Sequence, residues 1–220
     1  MCCGDGSCGS GPQPQAGHAM TPKMYRHLHA AVAGLDHDQG TYDTGIGFYN
    51  RASMPETPED LAAEATWCIV GSGISHVAAR KINGYVKPHM EVGGDARDVV
   101  KNRNKAAGIN TVWRDRAELH TALSSEARKT DGNPLSVIDH VPVLRGPAIR
   151  HHFGKNIGIQ VAKPDVHLTR LAKHYGETVQ GLCARLSVAT GERVPVIDYV
   201  LFRACQQGWI NSREPEDTTP

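Results

Sequence analysis

From Val143 to Arg170 the chain reads VLRGPAIRHHFGKNIGIQVAKPDVHLTR. A turn at Leu144-Arg145-Gly146 divides two stretches with helical spacing of apolar residues, one expected over 134–144 and the next over 147–156. Pro147 fits the first turn of the second helix, where its missing N–H is of no consequence. Gly158 then opens a brief extended segment, 159–162, and Lys163-Pro164-Asp165 begins a further helix, with Asp165 at the position of an ordinary N-cap. A hairpin of this kind turns backbone N–H groups and a helix N-terminus outward, which suits a phosphate.

Charge around the hairpin points the same way. Arg145, Arg150, Lys155, Lys163, Arg170 and Lys173 stand in this region with Asp165 as the sole acid, and His151, His152 and His167 add polar groups. The whole chain carries a formal charge of only +1, so its overall field gives little attraction to a polyanion. A basic strip around a single carboxylate is therefore a local feature.

Working outward, helix signals continue almost throughout. Pro22 begins a helix carrying Tyr25, Leu28, Val32 and Leu35. Thr57-Pro58-Glu59-Asp60 combines a cap, a first-turn proline and acids at the positive helix end. That helix runs to Gly71-Ser72-Gly73, and another follows from Ser75 through Ile82. Further helices are expected over 96–107, 111–129, 166–175, 178–190 and 195–207, and strand signals are nearly absent. The class is all-α. The expected organisation is a disordered Gly/Pro/Cys-rich tail at 1–20, a helical domain over 21–210, and a disordered tail at 211–220.

With 220 residues, 40% apolar and 21% charged, the chain has the composition of a globular domain. It has no apolar run of the length that spans a bilayer and no secretory leader, so an intracellular protein is expected. Of six cysteines, Cys68, Cys183 and Cys205 lie singly in apolar stretches and read as small buried hydrophobes. Cys2, Cys3 and Cys8 have no histidine spaced as in zinc sites, and no metal is expected.

The Asp165-x-His167-x-x-Arg170 element, with the hairpin upstream, resembles the endonuclease III-like, helix-hairpin-helix superfamily of DNA glycosylases, in which a Leu-Pro-Gly-Val-Gly hairpin precedes Asp-x-His-x-x-Arg. The similarity extends over about 135–207, its hairpin and catalytic segment lying within 135–175, and is weaker over 58–130. It implies two helical lobes with DNA and the base pocket between them, and makes Asp165 the catalytic carboxylate. Three departures stand out. Leu144 is read at the place of the first hairpin glycine, leaving only Gly146. Pro147-Ala148-Ile149 occupies the place of the lysine used by bifunctional members, and the four-cysteine iron–sulfur pattern is missing.

The resemblance thus implies a monofunctional, cluster-free enzyme of base excision repair, without cofactor, that hydrolyses the N-glycosidic bond of a damaged, modified or mispaired base flipped out of DNA. It implies DNA contacts at Arg145, Gly146, Arg150, Lys155, Lys163 and Arg170. Ile74, in the break after Gly73, is a candidate wedge, and Trp113 and His167 are candidates for the base pocket, although each is equally at home in a core or at a helix start. A monomer is expected. Three alternatives remain: a phage-type base-hypermodifying enzyme on the same fold, a non-catalytic DNA-binding derivative, and a glycosidase acting on RNA or nucleotides.

Overall fold

The structure, a computed structural model, describes residues 19–213. Among them are ten α-helices and no strand: α1 Pro22–Asp38, α2 Ile46–Arg51, α3 Pro58–Gly71, α4 His76–Glu91, α5 Arg103–Arg114, α6 Arg116–Arg128, α7 Pro147–Asn156, α8 Val166–His174, α9 Val179–Thr190 and α10 Val194–Gln206. None is long and apolar enough to cross a membrane. Cys2, Cys3 and Cys8 lie outside the described residues.

Local chemistry explains most of the starts. Side chains of Thr21, Thr57, Ser75, Asn102 and Thr178 each accept a hydrogen bond from an amide of the following first turn, at 3.0–3.3 Å. Each such cap is worth about 1 kcal/mol. At the far end, α9 stops at Gly191, whose φ of 78° is open to glycine and disfavoured for other residues.

Two apolar cores divide the helices. The first gathers α3 to α6 and continues through the hairpin into α7, with Leu61, Ile69, Ile109, Leu123, Leu144 and Phe153 fully buried. The second joins the N-terminal α1 and α2 to α8, α9 and α10 around Tyr25, Ile46, Leu168, Leu182 and Leu201. Each buried residue of this size contributes roughly 1.5–3 kcal/mol through removal from water. Helix α7 belongs to the first core through Phe153 and Ile157, while its Lys155 reaches Asp198 on α10 in the second. The hairpin and its following helix therefore lie where the two lobes meet.

Three expected helices are corrected. Over 96–107, residues Ala96–Asp98 form a 3-10 turn capped by Asp95, and the α-helix begins only at Arg103, after the Asn102 cap. The stretch 111–129 breaks at Asp115, which ends α5 and starts α6. Over 134–144 only Pro134–Ile138 is helical, as a 3-10 turn. Pro142 lacks a donor and disfavours helical angles at Val141, so the chain enters the hairpin as turns.

Candidate active site

The hairpin is built around one unfavourable torsion. Leu144 N–H donates to Pro142 C=O at 2.8 Å, closing a three-residue turn whose centre, Val143, has φ 67°. Val143 is the sole residue other than glycine with positive φ among the described residues, and a β-branched side chain there is strained by about 1–2 kcal/mol. This corrects the sequence reading. The hairpin position that calls for glycine is occupied by Val143, while Leu144 is fully buried. Arg145 N–H to Val141 C=O and Gly146 N–H to Val143 C=O, at 3.1 and 3.0 Å, complete the turn. Helix α5 approaches so closely that a Cβ on Gly108 would stand 2.4 Å from the Pro142 carbonyl oxygen.

After α7 the chain runs as an extended strap to Asp165, the N-cap of α8. Its Oδ1 accepts hydrogen bonds from the amides of His167 and Leu168, both 2.9 Å. Oδ2 receives no hydrogen bond among the described residues, and the residue is half-buried. Capping and chemistry are thus compatible: one oxygen is held by the helix end and the other is left for a ligand. Beside it lies a groove of about 470 Å³ walled by Pro164, Thr169, Ala172, Lys173, His151 and Gln180; Asp165 itself is not part of that wall.

The expected DNA contacts separate into two groups. Arg145 and Arg170 are exposed, Lys163 and Gly146 are half-buried, and the three cations form no ion pair among the described residues. Arg150 is half-buried and paired with Asp139. Lys155 requires correction: it is 4% exposed, its ammonium is paired with Asp198, and it sits 4.5 Å from the centre of the Tyr49 ring. Burial alone would lower its pKa, but Asp198 and Tyr49 raise it above the ordinary lysine value. It is an interior charge, out of a phosphate's reach.

The candidates for base contact fall in different surroundings. Trp113 is 6% exposed and its indole N–H donates to Thr66 Oγ1 at 2.9 Å, so it is core of the first lobe and no pocket wall. His167 Nδ1 lies 3.1 Å from Ser212 Oγ, with its ring edge-on to Phe202, which ties it to the C-terminal segment. Ile74 is 39% exposed, on a turn held in place by Lys105, whose ammonium donates to the carbonyls of Val70 and Ser72 at 2.8 and 2.7 Å.

The end of α7 also meets a carboxylate that sequence reasoning did not single out. Glu64 of α3 accepts from Asn156 Nδ2 at 2.7 Å and from the Cys68 thiol at 3.6 Å. Burial pushes the Glu64 carboxyl above its usual range despite both donors. His152, on the same helix as Asn156, is held down to about 3 by burial and by the charges of Lys155 and Lys163, so its imidazole is neutral at physiological pH. Among the described residues no group of three or more His, Cys, Asp or Glu side chains could hold a metal ion.

The 8-oxoguanine DNA glycosylase of Thermotoga maritima has a similar structure, with TM-score 0.56 over 82% of this chain and 94% of that one, at 19% identity. The fold is glycosylase-like. At this identity the likeness shows the fold alone: an all-α, two-lobed architecture. Comparison with family models gives no match, and comparison with curated proteins gives none.

Proposed function

We propose that the protein is a monofunctional DNA glycosylase, acting on a damaged, modified or mispaired base flipped from DNA, with Asp165 as its catalytic carboxylate. The observation that carries this reading is the state of Asp165: Oδ1 fixed by two amides, Oδ2 unpartnered, at the end of the strap that follows a hairpin in a glycosylase-like fold. Arg145, Gly146, Lys163 and Arg170 would meet phosphates, and Ile74 would fill the gap left by the base.

The chemistry needs little more. As the C–N bond lengthens, positive charge builds on the sugar, and a carboxylate beside it stabilises that charge. Water oxygen bonds to the anomeric carbon as the C–N bond breaks, the base leaves with the electron pair and takes a proton from solvent, and Asp165 Oδ2 takes the proton that water gives up and returns it to solvent. Pro147 at the start of α7 carries no amine, so that position supplies no Schiff base.

The test is a panel of duplex and single-stranded oligonucleotides carrying altered bases, each product examined with and without hot alkali. Strand breaks that need alkali support hydrolysis. Breaks without alkali would overturn the monofunctional reading, and altered bases still attached to their sugars would favour base modification.

A further inference from the structure

The strap between α7 and α8 carries Asp165, yet it pairs with no strand. Its backbone groups are satisfied by side chains of α9, α10 and the residue before α10. Gly158 C=O accepts from Arg193 at 3.0 Å, and Gln160 C=O accepts from Gln180 Nε2 at 3.1 Å. Ala162 N–H donates to Gln180 Oε1 at 2.9 Å, and Lys163 N–H donates to Asp198 Oδ2 at 2.5 Å. The next link is backbone: Asp165 N–H donates to Lys163 C=O at 2.8 Å. A side chain on α10 is therefore one peptide turn from the capping residue.

Asp198 is 1% exposed, and its other oxygen pairs with buried Lys155. A buried ion pair is weak support for stability, since apolar residues of similar volume often serve equally well. Such a pair is explained better if one partner has a further task.

We propose that Asp198, assisted by Gln180, is a positioning residue that tethers the strap through Lys163 N–H and Ala162 N–H and so fixes the place of the Asp165 carboxylate. Lys155 neutralises the buried charge this requires. Misplacing a reacting group by about 1 Å costs about a hundredfold in rate, so a tether two residues away is felt in kcat more than in KM. The kinetic part of this inference rests on the glycosylase reading; the structural part does not.

Two paired variants separate tethering from charge. Lys155→Met/Asp198→Asn removes both charges and keeps an amide oxygen for Lys163 N–H. Lys155→Met/Asp198→Leu removes both charges and the acceptor. Hydrogen exchange of the full chain without DNA is read at the amides of Lys163, His167 and Leu168. The tether predicts exchange at least about tenfold faster in the leucine pair than in the asparagine pair at these amides, with core amides of α3 unchanged. It also predicts kcat about a hundredfold lower in the leucine pair, with KM within about twofold. Equal exchange in the two pairs would overturn the proposal, whether or not any base is excised. Should wild type excise nothing, the glycosylase reading fails while exchange still decides the tether. Should the leucine pair not fold, Gln180→Ala on the exposed start of α9 must speed exchange at Ala162 and Lys163, and unchanged protection there would overturn the proposal.

Discussion

Val143 offers a test in which two small substitutions should rank opposite to the usual order. At an ordinary position alanine is more stable than glycine by about 0.5–1 kcal/mol, because glycine loses more backbone freedom on folding. At φ 67° a Cβ meets the neighbouring carbonyl at a cost of about 1–2 kcal/mol, which glycine escapes. Both substitutions lose the same partly buried isopropyl contacts with the first core, so that loss cancels in the comparison. The difference leaves Val143→Gly more stable than Val143→Ala by about 1 kcal/mol, or about 2–4 °C in Tm for a domain of this size. Urea denaturation of the two variants measures it directly, with Leu144→Gly as control. Because Leu144 is fully buried, its replacement should lose about 2–5 kcal/mol. Alanine equal to or above glycine at 143 would refute the hairpin geometry described here.

Other outcomes follow from the same structure. Gly108→Ala places a methyl 2.4 Å from the Pro142 oxygen and should cost about 1–3 kcal/mol in thermal denaturation, although alanine is the better helix former. His152 titrates near 6.5 when unfolded and about 3 when folded, so the unfolded chain binds the extra proton between those values. Stability should therefore be complete above pH 6.5 and fall as pH drops, by about 3 kcal/mol at pH 4.5; His152→Gln should flatten that part of a pH–stability curve. In salt-dependent DNA binding, Arg145→Ala and Arg170→Ala should each reduce the slope by about one, whereas the paired change Lys155→Met/Asp198→Asn should leave it unchanged because that ion pair is interior.

Much of the helical layout was legible because its signals are local. Thr57-Pro58 and Thr178 name their helices through a hydroxyl that reaches an amide three residues on. The same signal at Asn102 is masked by apolar spacing from Ala96 onward, and the apolar spacing over 134–144 hides the break that Pro142 imposes. Asp165 was legible as a cap, since its oxygen meets the amides of the first turn of α8. What escaped was whatever depends on the third dimension. Lys155 counts as a surface cation in a basic strip until Asp198, 43 residues later, is brought against it. One signal was present: Asp198 interrupts the apolar run VPVIDYVLF, where an acid must find a buried partner. Nothing in the sequence near Val143 distinguishes its torsion from that of Leu144, since both are apolar residues in one turn.

In the proposed function Asp165 acts chemically on DNA and does not merely cap α8. Asparagine keeps a side-chain oxygen that can cap a helix equally well. The decisive measurement is therefore single-turnover base release by wild type and Asp165→Asn on the same oligonucleotide, with DNA affinity and Tm measured on the same samples. If Asp165 is the catalytic carboxylate, Tm and affinity are retained while base release falls by about a hundredfold or more. Base release by Asp165→Asn at the wild-type rate would contradict it and leave Asp165 as a helix cap alone.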